Sequence, residues 1–127
     1  FEIEESVKQL KTQVAEFKEK IKEELLGWRQ TLIKLKERRN RTVVWGGGSK
    51  SVGFLVNFAD LDLIQYVVDV NPHLEGNYIP GIGKMYVQPK FLKEYRPEAV
   101  IIMNGIYKDE ITKSLHEMDL YPEIYAL

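Results

Sequence analysis

Thr42-Val43-Val44-Trp45-Gly46-Gly47-Gly48-Ser49-Lys50-Ser51 runs from an apolar segment through a glycine-rich turn into a helix-like segment. Residues 42–45 are bulky or β-branched at every position, which predicts a strand that is buried on both faces. Strands of this kind occur in parallel sheets whose two faces are covered by helices. The stretch therefore predicts the first strand and first turn of an α/β domain.

The same alternation continues to the end of the chain. The pattern predicts a helix over 50–59, strands over 66–70 and 85–87, a helix from Pro89 to about Tyr95, a strand over 99–103, a helix over 108–118 and a closing strand over 123–127. A loop over 76–84 is rich in glycine and proline. Right-handed crossovers between such strands give a doubly wound sheet. We predict an α/β fold over 42–127, with a small Rossmann-like, mainly parallel sheet.

A different period precedes this domain. Apolar residues recur at steps of three and four at Ile3, Val7, Leu10, Val14, Phe17, Ile21, Leu25, Trp28, Leu32 and Leu35. This stripe predicts one long amphipathic helix that ends near Arg39 or Asn40, so we divide the chain into 1–41 and 42–127. The stripe is longer than a small domain covers by itself. It packs on the rest of the chain, on a second copy in a homodimer, or on another domain of a longer protein.

Composition narrows the classes of partner. The 127 residues include 18 basic and 19 acidic side chains, a balance that favours neither nucleic acid nor an anionic membrane as a partner. There is no cysteine, which excludes disulfides and thiolate chemistry and fits a cytoplasmic location. His73 and His116 are isolated, so we expect no metal site. The chain opens at Phe1, and we expect it to be a piece of a longer protein.

The glycine-rich turn is the first candidate binding element. Glycines let the backbone approach a ligand closely, and the amides of the following helix point at an anion. A dinucleotide fingerprint requires glycine at Ser51, and a phosphate-binding loop of the Walker type requires glycine at Ser49 and Val44, so neither motif is met. We therefore expect neither hydride nor phosphoryl transfer. The candidate binding residues here are Gly46, Gly47, Gly48, Ser49 and Lys50, and the alternative is a tight turn without a ligand.

Four further polar residues follow the predicted strands. Asp69 stands at the end of the second strand, where a carboxylate accepts hydrogen bonds from a sugar diol or instead caps the Asn71-Pro72 turn. Asn104 and Tyr107 follow the third buried strand. Ligands of open α/β sheets bind beyond the carboxyl ends of the strands. Asp69, Asn71, Asn104 and Tyr107 are thus expected to share one crevice with the glycine-rich turn.

Three segments together resemble a known family. They are Val43 to Lys50, then Val67-Val68-Asp69-Val70-Asn71-Pro72 with Gly76 and Pro80-Gly81, then Asn104 with Tyr107-Lys108-Asp109-Glu110-Ile111. Over about 42–115 the chain resembles the C-terminal domain of S-adenosylmethionine-dependent C-methyltransferases that act on nucleotide-linked sugars. Gly46, Lys50, Asp69, Asn71 and Pro72 match family positions. At Leu74 the chain departs from the family, whose members often have a basic residue at this position. Leu74 has no positive charge with which to contact a diphosphate.

The resemblance implies a division of labour. In the family a zinc-binding domain and a methyltransferase domain precede this one, and they hold S-adenosylmethionine and the catalytic base. The C-terminal domain helps to hold the nucleotide-linked sugar, so this chain is expected to contain no catalytic residue and no cofactor of its own. One alternative is a stand-alone module that binds or senses a nucleotide or nucleotide-sugar. The other is a structural domain whose long helix mediates assembly.

Overall fold

The computed structural model describes residues 2–127, and Phe1 lies outside the described residues. The chain forms two compact units, one ending at Ile33 and the other spanning Lys34–Leu127. The long helix α1 runs from Glu2 to Glu37, so the boundary between the units falls inside the helix rather than after residue 41. The last turn of α1 thus belongs to the α/β unit, where Leu35 is buried.

Helix α1 has the charge distribution that a helix dipole favours. Glu2, Glu4 and Glu5 lie in its first turn, and Lys34 and Lys36 lie in its last turn. Its apolar stripe is exposed from Ile3 as far as Leu25. Within residues 2–127 no helix combines the length and apolar character needed to cross a membrane.

The α/β unit contains a five-stranded parallel sheet. Its main elements are β1 (Thr42–Trp45), α2 (Ser49–Asn57), β2 (Ile64–Val68), β3 (Met85–Val87), α3 (Leu92–Tyr95), β4 (Ala99–Ile102), α4 (Lys108–Glu117) and β5 (Glu123–Ala126). Single 3-10 turns cover Ala59–Leu61, Pro89–Phe91 and Gly105–Tyr107. The strand order is β3-β2-β1-β4-β5, and every neighbouring pair is parallel. The prediction of a Rossmann-like α/β sheet behind a long helix is confirmed.

The central strands are buried on both faces, as their sequences predict. Val43 and Val100 point to one face, where they pack in a cluster with Leu92 of α3 and Leu115 of α4. Val44 and Ile101 alternate with them, point to the other face and are fully buried. The connection after β1 runs toward one edge of the sheet, and the connection after β4 runs toward the other edge. Because both connections are right-handed, α2 and α4 cover opposite faces of the sheet.

Strand β2 corrects one sequence prediction. The pattern predicts this strand over 66–70, but it lies at Ile64–Val68, two residues earlier. Trp45, the last residue of β1, pairs with Val68, so β2 has no partner on that side beyond this point. The next residue, Asp69, accepts a hydrogen bond from the amide of Asn71 at 2.8 Å, which turns the chain away from the sheet.

An ion pair holds the start of β1 against the segment that precedes β4. Glu98 accepts hydrogen bonds from the Arg41 backbone amide at 2.6 Å and from its guanidinium at 3.2 Å. Partial burial acts to raise the pKa of Glu98, but the hydrogen bonds and charge of Arg41 outweigh it and lower that pKa. A carboxyl whose pKa is lowered by folding stabilises the folded state above its unfolded pKa.

The packing of the core predicts that alanine substitutions of two isoleucines differ strongly in their effect on stability. Ile101 is fully buried in β4, whereas Ile106 is 85% exposed. We expect Ile101→Ala to lower the free energy of unfolding by about 2–5 kcal/mol, because it leaves a cavity between sheet and helices. Ile106→Ala is expected to change it by less than about 0.5 kcal/mol. Urea denaturation of both variants checks this, and equal effects would contradict the packing described.

The Arg41–Glu98 pair predicts a pH dependence. We expect Glu98→Gln to lower the free energy of unfolding at neutral pH by about 0.5–1 kcal/mol, a small effect because both side chains are partly exposed. The difference from the native chain is present above the ordinary glutamate pKa and disappears as the pH falls through the lowered pKa of Glu98. Denaturation curves at several pH values measure it, with the exposed Glu94→Gln as the control. A difference that grows toward acid pH would refute the ion pair.

Candidate functional site

The strand order places a cleft at the carboxyl edge of the sheet. The chain leaves β1 toward β2 and leaves β4 toward β5, so the segments after these adjacent strands separate. Open α/β sheets bind ligands where the strand order reverses in this way. A cleft of about 750 Å³ lies at this position, lined by residues that follow β1, β2 and β4.

The first wall of the cleft is the glycine-rich turn. Gly46 has φ of +118°, a conformation that other residues rarely adopt, and its amide donates to the Val68 carbonyl at 2.8 Å. A Cβ atom at this position would also lie 3.2 Å from Cβ of Met103. The sharp exit from β1 therefore requires glycine at residue 46.

Gly47 is enclosed by two side chains. Its amide donates to Oδ2 of Asp69 at 2.9 Å, and its carbonyl accepts from the Tyr86 hydroxyl at 3.2 Å. A Cβ atom on Gly47 would lie 2.6 Å from Asp69 Oδ2 and 2.8 Å from Tyr86 Cε1. These contacts hold the backbone of the turn against the ends of β2 and β3.

Asp69 connects two loops at the edge of the sheet. Its Oδ2 atom accepts from Gly47 and its Oδ1 atom accepts from the amide of Asn71 at 2.8 Å. The capping contact considered in the sequence is therefore present. A carboxylate has about four acceptor positions, so two bonds leave capacity for a hydroxyl group in the cleft. The Asn71 side chain accepts from the amide of His73 at 3.0 Å and completes the turn.

Helix α2 begins at the cleft. Gly48 is its N-cap and provides no side-chain oxygen, while Ser51 is buried and donates its hydroxyl to the Gly48 carbonyl at 3.1 Å. The amides of the first turn of a helix favour an anion. Lys50 is exposed in this turn and lines the cleft.

The opposite wall comes from the segment after β4. Asn104 accepts a hydrogen bond from the amide of Ile106 at 3.2 Å and caps the 3-10 turn before α4. Tyr107 follows it, and Glu110 and Ser114 continue the same wall along α4. Steps of three and four place residues 107, 110, 111 and 114 on one face of a helix. This spacing could have predicted from the sequence that Glu110 and Ser114 lie on the same side as Tyr107.

The structure brings most of the predicted residues together. Seven of the predicted residues line the cleft: Gly46, Gly48, Ser49, Lys50, Asp69, Asn104 and Tyr107. Gly47 and Asn71 are not among the lining residues and act on the cleft through Asp69. Sequence reasoning missed Glu110 and Ser114 on the second wall and Tyr86 beneath the turn. Tyr86 is a buried tyrosine in a strand, and such a hydroxyl generally requires a partner.

The charged groups of the lining differ in what they can bind. Lys50 provides one positive charge, and Asp69 and Glu110 provide two negative charges. Carboxylates accept hydrogen bonds from hydroxyl groups, and an ammonium next to helix amides attracts phosphate. Within residues 2–127 no group of three His, Cys, Asp or Glu side chains is arranged to hold a metal ion.

Comparison with known protein families identifies the domain. Residues 2–120 match the family described as the C-methyltransferase C-terminal domain. The chain belongs to this family. No curated protein sequence is significantly similar to the chain.

Membership in the C-methyltransferase C-terminal domain family confirms the resemblance and extends it. The three motif segments lie within about 42–115, whereas the match begins at residue 2 and includes α1. The helix is therefore part of the family's domain, although it forms a separate compact unit over most of its length.

The turn predicts opposite outcomes for two glycine substitutions. We expect Gly47→Ala to lower the free energy of unfolding by about 1–3 kcal/mol, because the new methyl group displaces Asp69 or Tyr86. Gly53 lies inside α2, and a Cβ atom added there would meet no atom within 4 Å apart from its chain neighbours and the backbone of its own helix. Gly53→Ala is therefore expected to raise that free energy by about 0.5–1 kcal/mol. Thermal and urea denaturation compare the two variants. A neutral Gly47→Ala would show that the turn is not held as described.

Proposed function

We propose that this domain binds the nucleotide-linked sugar substrate of a C-methyltransferase in the cleft between the β1 and β4 loops. The observation that carries the proposal is that the glycine-rich turn, Asp69 and the segment after β4 line one cleft at the point where the strand order reverses. Sites of this kind bind nucleotides in open α/β sheets. Family membership supplies the reaction class.

In this proposal the diphosphate lies at the beginning of α2. Ser49 and Lys50 occupy the first turn of that helix and line the cleft. The amides of Gly46 and Gly47 already bond within the protein, so the anion contacts come from the helix amides and the Lys50 ammonium. A charge-assisted hydrogen bond of this kind contributes roughly 1.5–3 kcal/mol.

The sugar or ribose hydroxyls lie against the carboxylates. Asp69 is held in place by two backbone amides, so its remaining acceptor positions are oriented before a ligand arrives. Glu110 faces the cleft from the opposite wall and accepts hydroxyl donors there. Tyr107 adds an aromatic surface and a hydroxyl on the same side.

The proposal assigns binding and positioning to this domain and methyl transfer to another one. In that reaction a base would remove the proton next to a keto group, and the resulting enolate carbon would take the methyl group of S-adenosylmethionine, releasing S-adenosylhomocysteine. The methyl donor and that base would be held by the methyltransferase domain of the longer protein. The present domain would hold the sugar against it, which raises the rate through proximity and orientation.

The proposal predicts that removing the Lys50 side chain weakens the binding of nucleotide-sugars. We expect dTDP-glucose and UDP-glucose to raise the melting temperature of the chain, because they bind the folded state, and NAD to have a smaller effect. We expect Lys50→Ala to weaken binding of the nucleotide-sugars by roughly tenfold, since one charge-assisted contact is lost. Calorimetric titration measures the change.

Lys113→Ala is the matched control, because Lys113 is an exposed lysine of α4 that does not line the cleft. It is expected to bind as the native chain does. Unchanged affinity of a folded Lys50→Ala variant would remove the anion site from the proposal. A response to NAD alone would favour a dinucleotide-binding module instead.

A further inference from the structure

The amino-terminal part of α1 carries an exposed seam with a strict seven-residue repeat. From residue 3 to residue 21 the apolar side chains alternate in steps of four and three. They are Ile3 (78% exposed), Val7 (43%), Leu10 (60%), Val14 (44%), Phe17 (64%) and Ile21 (39%). We call these six residues the seam. Exposed apolar surface of this length on a single helix marks a contact with another molecule or domain.

The residue types of the seam follow the pattern of a coiled coil. In a seven-residue repeat lettered a to g, Val7, Val14 and Ile21 occupy the a positions, and all three are β-branched. The d positions hold Ile3, Leu10 and Phe17. Apolar residues at every a and d position form a narrow seam whose side chains interlock with those of a facing helix, which is the packing of a coiled coil.

Charges beside the seam distinguish the two orientations of a pair of identical helices. In a parallel pair, each g position faces the following e position of the other helix. The facing residues are then Ser6 with Lys11, Gln13 with Lys18, and Lys20 with Leu25. None of these pairs joins opposite charges. A parallel pair also brings the acidic first turns of both helices together, which is unfavourable.

An antiparallel pair centred on residue 12 improves both the charge pairs beside the seam and the surroundings of the acidic first turns. Each a residue then meets a d residue of the second copy: Ile3 meets Ile21, Val7 meets Phe17, and Leu10 meets Val14. Glu4 faces Lys18 of the second copy, and symmetry gives this ion pair twice. The acidic first turn lies near the lysine-rich region 18–22. One unfavourable contact, Lys11 with Lys11, remains at the centre.

We propose that α1 pairs with α1 of a second copy of this chain as an antiparallel two-stranded coiled coil through the seam. The seam covers 19 residues, or about 28 Å at the usual helical rise. The charge pattern favours a second copy as the occupant, because two Glu4–Lys18 ion pairs offset the single Lys11–Lys11 contact. This interaction is independent of the cleft and of what the cleft binds.

Light scattering tests the pairing on the whole chain. The native chain is expected at twice the monomer mass, and Leu10→Glu is expected at the monomer mass, because a charge is placed in the seam. Thr12→Glu is the matched control, since Thr12 is exposed at an f position outside the seam, and it stays dimeric. Circular dichroism confirms that each variant keeps its fold. A native monomer, or a Leu10→Glu dimer, overturns the proposal.

Cross-linking tests whether the two helices are antiparallel. The chain has no native cysteine, so only an introduced cysteine can react. Ile3→Cys and Ile21→Cys are prepared separately, one with a size tag, and treated with a short thiol cross-linker alone and mixed. The antiparallel pair predicts a cross-linked product only in the mixture. Efficient cross-linking of each variant with itself would show a parallel pair, and no product in any sample would show that the seam does not pair with a second copy in this register. Either result overturns the proposal.

Discussion

The parallel pairing of β1 with β4 is the constraint on which the α/β unit depends. The two strands align residue by residue, with Val43 beside Val100 and Val44 beside Ile101. All four side chains are fully buried, and each such side chain contributes roughly 1.5–3 kcal/mol through removal from water. Burial on both faces requires helices on both sides, so the chain must leave the two strands in opposite directions. The cleft is a geometric consequence of that separation.

A second constraint acts at the edge of this sheet, where Asp69 joins two loops. Its carboxylate accepts one backbone amide from the turn after β1 and one from the turn after β2. Tyr86, on β3, holds the other side of Gly47. A loop held by contacts from two neighbouring strands loses little freedom when a ligand binds, which favours affinity. The same carboxylate therefore supports the site structurally and, in our proposal, contacts the ligand.

Helix α1 has a different physical basis from the sheet. Its first residues contribute no core, and a helix in a protein gains most of its stability from packing of its apolar side. The family match includes α1, so the helix belongs to the domain in sequence even though most of it forms its own compact unit. In our proposal, pairing of the seam with a second copy supplies the packing that this part of α1 requires.

Local pattern alone determined the order and type of the elements. Segments that are apolar at every position, such as 42–45 and 99–102, indicate buried strands wherever they occur, and the stripe of α1 is equally local. The candidate site was also accessible from the sequence in large part, because ligands of open α/β sheets bind where parallel strands end. That rule brought Lys50, Asp69 and Asn104 into one cleft without knowledge of the strand order.

Tertiary structure alone decided the contacts between distant segments. The end of β2 at Val68 depends on where β1 ends, and the enclosure of Gly47 depends on Tyr86, which is 39 residues away. Glu110 and Ser114 face the cleft because α4 packs on one side of β4, and no local period states which side that is. Local backbone preference sets the elements, whereas register and facing side chains follow from the burial of one element against another.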